Sequence, residues 1–457
     1  MDNEDGDLPR DGSTAHPNES SSATSYQRVP PSPTDNDESD GTNHRDNRNT
    51  SVVIAPSHDN DRDLKNFLTM AVLFSANHGC VVSCMGVATA RLGAVGAWQS
   101  GILFIAYSAS SVLGATYAVK TLGARDALTL GMWCYGFYVG FFWLAARVED
   151  AAAVRATAYL GAVVGGSGGG LLWTAQGTYF GLAAAARAAR RGRPVAEANA
   201  ELAGYFAGFY LAEEVLMRLL SSVLLELRLA SWETVFGIYT AIVFLSALAM
   251  PCVHDYRSSE GEHQDGNASA FRKATVAIKL LVNDPKMKYM IGLNATFGFV
   301  SAFLNSYVNG QVLPIALNDP DSIYVGVLTS TVPLVAAVMS LVFGKVGGGA
   351  ERDSSGVILI AGALCFAGVV LPFVVQPDAA RYGWASLIAV FALQGTGRAT
   401  FEGTLRSTFA GYFAYEREGA FSNIVLQNGI AGGIGYIRES RWRPKCGAPV
   451  AVVPVVF

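Results

Sequence analysis

The sequence predicts an all-α polytopic membrane protein, and three observations carry that reading. The 457-residue chain is 51% hydrophobic and only 15% charged, where roughly a quarter of a soluble domain is charged. From Phe67 onward it falls into successive apolar runs, each of about 20 residues, the length that crosses a ~30 Å hydrocarbon layer as a helix. Lys and Arg also gather in alternate loops between those runs, as they do where loops alternate between the two sides of a bilayer.

The first element is not a span. Residues 1–63 hold 14 Asp/Glu and 5 Arg, a net charge of −9, with almost no large apolar side chain before Val52. A stretch so poor in apolar surface cannot offset its ordering entropy and reads as a disordered acidic tail. The other 394 residues carry a net charge of +5. With no strongly basic domain to meet phosphates, a nucleic-acid binder is excluded. Cys80, Cys84, Cys134, Cys252, Cys365 and Cys446 form no CxxC pair, which argues against a zinc module or disulfide scaffold.

Eleven spans follow, at about 66–88, 99–119, 127–146, 157–180, 201–225, 233–252, 286–308, 322–344, 355–375, 383–404 and 420–437. Helices are the default, because every backbone polar group must be satisfied within lipid. The alternating ten-residue strands of an outer-membrane barrel are absent. Trp98, Trp143, Trp232 and Trp384 stand near span ends, where amphipathic rings favour the interface. With the N-terminus inside, the inner loops and adjoining span ends hold sixteen Lys/Arg and the outer ones five, which predicts a cytoplasmic N-terminus.

The longest inner loop, 253–284, divides the chain into an N-terminal half of six helices (64–252) and a C-terminal half of five (285–437). Within that loop Phe271, Thr275, Ile278 and Val282 recur at helical spacing among Arg272, Lys273 and Lys279, the pattern of an amphipathic helix on the inner face. An even-numbered architecture would place a twelfth helix after residue 437. Residues 438–457 instead carry Arg438, Arg441, Arg443 and Lys445 and an apolar run too short to span. They read as an irregular tail, either a truncated or mis-spliced end or a genuine short one.

Polarity varies with helix number. The middles of spans three, six and nine lack charged, amide and imidazole side chains. Spans one, four, seven and ten contain Asn77 and His78; Gln176; Asn294 and Asn305; and Arg398 and Glu402. Intramembrane polar groups face bundle interiors or water, so this rhythm separates lipid-facing from cavity-lining helices. The loops Lys120–Asp126 and Lys345–Asp353 are tight, basic and glycine-containing, at matching places in the two halves. They resemble the loop that major facilitator transporters carry between spans two and three. In that superfamily, helices one, four, seven and ten line a central cavity and three, six and nine face outward.

In span four, Leu171-Leu172-Trp173-Thr174-Ala175-Gln176-Gly177-Thr178-Tyr179 closely resembles a signature of the UNC-93-like branch of the major facilitator superfamily. Asn283–Met287 before span seven, Gly298–Asn305 and Gly395–Gly403 fit the same branch, so the resemblance covers about 64–437. The span-four string is its specific part. Departures are the missing twelfth helix and the acidic pair in span five. The resemblance implies a major-facilitator-like two-half bundle. It also implies either secondary transport or a regulatory or escort role, since characterised members regulate potassium channels or escort innate immune receptors.

Candidate residues follow from charge and spacing. Glu213 and Glu214 lie near the bilayer centre by counting, and Arg218 is four residues past Glu214, where it can share the cost of desolvation. The trio reads as a protonatable coupling site or as a structural ion pair between halves. Arg398, Glu402 and Arg406 recur at intervals of four, as a charge ladder or inner-gate lock, or with Arg398 as an anion contact. Asn77, His78, Trp173, Gln176, Asn294, Asn305, Arg398 and Glu402 are the cavity candidates. Gly161, Gly165 and Gly169 in span four, Gly204 and Gly208 in span five, and Gly429 and Gly433 in span eleven read as close-packing positions.

No nucleophile–base set, metal cluster or cofactor motif occurs in or between the spans, so an enzyme is not expected. The partners expected are the bilayer, an unidentified small solute or ion, and, under the escort reading, another membrane protein.

Overall fold

A computed structural model of the chain describes residues 60–256, 278–347, 355–413 and 417–439. Among them are eleven long helical passes and no strand. We number the passes α1 (Asn60–Leu92), α2 (Ala94–Leu113, continued by Ala115–Leu122), α3 (Ala124–Ala145), α4 (Ala151–Arg191), α5 (Val195–Glu226) and α6 (Trp232–Ala249). After the central loop come α7 (Pro285–Phe303), α8 (Val325–Gly347), α9 (Ser355–Val375), α10 (Trp384–Ala399) and α11 (Arg417–Glu439). Five passes are long and apolar enough to cross a membrane by length and composition alone, those covering Arg62–Leu92, Ala124–Ala145, Trp232–Cys252, Val325–Lys345 and Ser355–Val375. The others are rich in small or polar residues, carry charges or are broken.

Local chemistry sets the helix boundaries. Asp150 accepts from Ala153 N at 2.7 Å to start α4, and Asp284 accepts from Lys286 N at 2.8 Å with Pro285 in the first turn of α7. Each side chain satisfies an amide that the helix itself leaves unpaired. Gly192 ends α4 in the left-handed region. Gly123, at φ 86° and ψ 159°, makes the corner from α2 into α3, a conformation open to glycine alone at no cost.

Two passes change pitch where the sequence predicts plain helices. After Phe303, α7 runs through a π-helical stretch, Leu304–Val312, before a last turn Leu313–Ala316. After Ala399, α10 does the same over Thr400–Leu405 before ending as Arg406–Tyr412. Wide-pitch turns inside helices occur frequently at functional sites.

Boundaries differ in detail from the sequence reading. Helix α1 starts at Asn60, inside the stretch assigned to the tail, and Asp63 pairs with Arg190 at 3.0 Å. The start of the central loop folds back on the first half. Asn66 Oδ1 accepts from His254 N at 2.6 Å, and Asn66 Nδ2 donates to Tyr179 Oη at 2.8 Å. Residues 278–283 are helical, whereas Phe271 and Thr275 of the expected amphipathic helix lie outside the described residues. So do the acidic tail before Asn60, most of the loop 345–353 and residues 440–457.

The two halves share a core at one end only. We call the end where α1 begins the near end and the opposite one the far end. One buried apolar cluster runs through α1–α6 and continues into the far portions of α7–α10, taking in Val308, Leu313, Leu328, Phe373 and Phe391. A separate cluster, including Met287, Phe401, Leu405, Phe409 and Ile424, fills the near end of the C-terminal half alone.

Polar contacts join the halves at the far end too. Asn309 Nδ2 on α7 donates to Gly86 O on α1 at 2.9 Å, and Trp232 Nε1 donates to Asp321 O at 2.7 Å. Ser222 Oγ on α5 donates to Ile323 O and accepts from Val327 N.

The outward-facing expectation for spans three, six and nine fits α9 best, where Val357, Ile360, Leu364 and Val374 are exposed. In contrast, α3 is substantially enclosed by α4 and α6: Leu128, Met132, Tyr138 and Phe142 are all buried. The cause is the glycine run of α4. A β-carbon at Gly161 or Gly165 would stand 2.7 Å and 2.6 Å from the β-carbons of Phe141 and Tyr138 on α3. A second face, Gly166 and Gly170, meets α2 equally closely at Leu103 O (2.3 Å) and Ser110 Oγ (2.1 Å). Helix α4 therefore packs tightly on two neighbours, where the spacing of Gly161, Gly165 and Gly169 alone predicts one.

Candidate functional site

At the centre of the bundle four charged side chains meet across the two halves. Glu214 on α5 is 1% exposed and holds two guanidinium groups. Arg218, one turn along the same helix, donates from Nη2 to Oε1 at 2.8 Å. Arg398 on α10 approaches in a bidentate fork, Nη1 to Oε1 at 2.9 Å and Nη2 to Oε2 at 2.8 Å. Arg398 Nε donates to Glu402 at 3.0 Å, closing a quartet with no formal net charge. A fork of this kind fixes orientation as well as charge. The element that positions Arg398 is the last turn of α10 before its pitch widens, and Glu402 sits within the wide turn itself.

An aromatic wall lies against the quartet. Arg398 Nη2 also donates to Tyr210 Oη at 3.3 Å, and its guanidinium stands 5.8 Å from the Tyr210 ring centroid. Tyr210 Oη is 3.2 Å from His78 Nε2. His78 lies among Phe74 (6.0 Å, stacked), Trp173 (5.2 Å, edge-on) and Tyr135 (5.9 Å). Phe206 stacks on Tyr210 at 5.9 Å, one turn earlier on α5. Trp173, Phe206 and Tyr210 are part-exposed and pack against the buried core of the first half.

The sequence candidates divide into three groups. His78, Trp173, Glu214, Arg218, Arg398 and Glu402 come together here. Gln176 is buried one turn beyond Trp173. Glu213 is part-exposed on the neighbouring face of α5, and among the described residues no cationic group pairs with it.

Other candidates serve helix packing, contrary to the cavity expectation. Asn77 is fully buried and donates to Val243 O at 3.0 Å and Ser246 Oγ at 3.1 Å, tying α1 to α6 behind the site. Asn294 is equally buried and donates to Gln427 on α11 at 2.7 Å. Asn305 is different: it is part-exposed within the wide turn of α7, and its bond, accepted from Asn309 at 3.4 Å, stays within that turn.

Among the glycines, Gly169 sits against Tyr135 and Tyr107. Gly429 and Gly433 on α11 receive α2: Ser108 Oγ would lie 1.9 Å from a β-carbon at Gly429, and Ile105 Cγ1 2.9 Å from one at Gly433. Gly204 and Gly208 do not pack. A β-carbon at either would meet nothing within 4 Å, because both lie on the exposed side of α5.

Sequence reasoning passed over Tyr210, Phe74, Phe206 and Asn309. A signal for Tyr210 existed, since it precedes Glu214 by four residues and so shares its face. Nothing local marks Asn309, whose partner lies 223 residues away.

The architecture has counterparts among solved structures. The chain is similar to a nucleoside transporter, NupG, at 13% identity, covering 83% of this chain and 90% of that one with a TM-score of 0.61. It is likewise similar to a peptide transporter, POT, at 13% identity over 83% and 89% with a TM-score of 0.61. A D-xylose–proton symporter is similar at 12% identity over 83% and 89%, with a TM-score of 0.58. No family model and no curated protein sequence matches the chain. The protein thus has the major facilitator fold, a two-half bundle of membrane-spanning helices. At these identities the likeness fixes the fold alone.

Proposed function

We propose that the protein is a secondary transporter that moves a small solute or ion by alternating access, with the two halves rocking about the central quartet. The observation that carries this reading is the buried Glu214–Arg398 fork, which joins α5 of one half to α10 of the other. A buried charge pair inside a membrane bundle is expensive to build, and such residues mark solute or ion pathways and proton relays. The arrangement of the cores supports it: shared at the far end, separate at the near end, as in a bundle open on one side. One of the similar structures, a bacterial homolog of a lysosomal transporter, is described as inward-facing and unoccupied (14% identity, TM-score 0.53).

The near end is the cytoplasmic one under the Lys/Arg asymmetry, and the chain is best assigned to the UNC-93-like branch. The string that motivates that assignment contributes Trp173 to the aromatic wall. An escort role would be served by polar groups on the lipid-facing surface. The charge cluster lies instead at the centre of the bundle, which favours transport.

Coupling to protons assigns the carrier to Glu213. Protonating Glu214 would forfeit two guanidinium partners, whereas Glu213 has none to lose. The test is purified protein in liposomes, with solute panels screened for flux with and without a proton gradient. Gradient-dependent flux in the wild type supports the reading. Absence of flux across the panel removes it in favour of escort.

A further inference from the structure

Helix α8 takes its N-terminal cap from the opposite half. The approach to it is held locally, where Asp319 accepts from Ile323 N at 3.0 Å and from Tyr324 N at 2.8 Å. Val327 N then falls at the third helical position, an amide that the helix leaves unpaired and that a short side-chain oxygen on the preceding residue normally serves. That residue is Tyr324, whose ring carries its hydroxyl too far out for the task. Ser222 on α5 stands in: its Oγ accepts from Val327 N at 3.1 Å and donates to Ile323 O, just before the helix. The two helices touch closely there. A β-carbon at Gly326 would stand 2.2 Å from Arg218 O and 2.6 Å from Ser222 Oγ. The same stretch of α5 carries the quartet, since Arg218 pairs with Glu214 one turn back and Ser222 follows one turn on.

We propose that Ser222 is a releasable latch: its hydroxyl holds the far end shut by capping α8 across the halves, and opening of the far end unmakes that cap. The proposal rests on the alternating-access reading and names a contact that sets the balance between its two states. Three features support it together. A cap contributes about a fivefold factor to an equilibrium, enough to bias two states and small enough to be undone in each cycle. Neither partner is stranded on release, since an amide in the first turn of a helix can pass to water and a serine hydroxyl can turn back onto a carbonyl of its own helix. The contact is also neutral, so parting it leaves no unpaired charge behind.

The test is a far-end distance between spin labels at Leu227→Cys and Ile315→Cys, both exposed positions, in the purified full chain in lipid nanodiscs across a pH series. Ser222→Ala should raise the ratio of long to short distances about fivefold, within a range of roughly two- to thirtyfold. Ser222→Thr, which keeps the hydroxyl, should stay nearer the wild-type ratio than Ser222→Ala does. Gly326→Ala, which sets a methyl group where the closed contact holds a carbonyl, should remove the short population. If that variant does not fold, the two Ser222 variants decide alone. An unchanged ratio in Ser222→Ala, a shift toward the short distance, or an equal shift in Ser222→Thr would each overturn the latch. Failure of the wider reading looks different. Wild-type distances that respond to pH while Ser222→Ala leaves their ratio unmoved refute the latch alone. A single, unmoved far-end distance in every chain at every pH refutes the latch and alternating access together.

Discussion

Replacing Glu214 by Gln tests the quartet with almost no change in volume. The substitution removes one negative charge from a buried site and takes from Arg218 the one carboxylate that pairs with it among the described residues, while Arg398 keeps Glu402. Three charge-assisted hydrogen bonds of 2.8–2.9 Å are lost or reduced to a neutral amide contact. The site goes from zero to +1 formal charge. Breaking a buried pair by removing one partner costs about 3–5 kcal/mol, because the stranded charge stays desolvated. The two guanidinium contacts are not additive, so the lower half of that range is expected. Equilibrium unfolding in mixed micelles measures it. Arg398→Gln on top of Glu214→Gln should cost much less than the sum, with a coupling of about 2 kcal/mol or more, since residues in one network interact. A Glu214→Gln loss below ~0.5 kcal/mol, the scale of an exposed pair, or strict additivity in the double variant, would refute the claim that the fork holds the halves together.

Three further outcomes follow from the geometry. Gly166→Ala should destabilise the bundle by about 1–3 kcal/mol, because its β-carbon would lie 2.3 Å from Leu103 O; Gly208→Ala, with nothing within 4 Å, should be neutral or mildly stabilising, and the pair can be compared by thermal unfolding. Glu213→Gln should abolish proton-gradient dependence of flux while leaving expression and unfolding close to wild type; unchanged dependence shifts the proton elsewhere. Ser258→Cys, in the central loop, should resist membrane-impermeant thiol reagents in intact cells and react once cells are opened; labelling from outside reverses the topology.

Much of the architecture could be read from composition alone. All eleven expected spans coincide with helical passes, although only five of those are long and apolar enough to cross a membrane by length and composition alone. The site was legible in part. Glu214 and Arg218 are four residues apart, so their pairing follows from helix geometry. The Arg398 fork to Glu214 crosses 184 positions, and no local rule specifies it. The amides misled for a physical reason. An intramembrane Asn satisfies itself equally well against a backbone carbonyl of a neighbouring helix, as Asn77 does with Val243, or against another amide, as Asn294 does with Gln427. Glycine spacing misled at Gly204 and Gly208, since four-residue spacing shows which face is small but not whether anything packs there. The wide turns at Leu304–Val312 and Thr400–Leu405 carry no signature that the sequence reading used.

Alternating access is the central claim, and paired distance measurements between spin labels test it without knowledge of the substrate. One pair, Tyr205→Cys on α5 with Tyr412→Cys on α10, reports the near end; the other, Leu227→Cys with Ile315→Cys, reports the far end, and all four positions are exposed. Upon acidification or addition of a transported solute, the near-end distances should gain a shorter population while the far-end distances gain a longer one, in matching proportion. Both distributions remaining single and unmoved across pH and solutes would contradict the account.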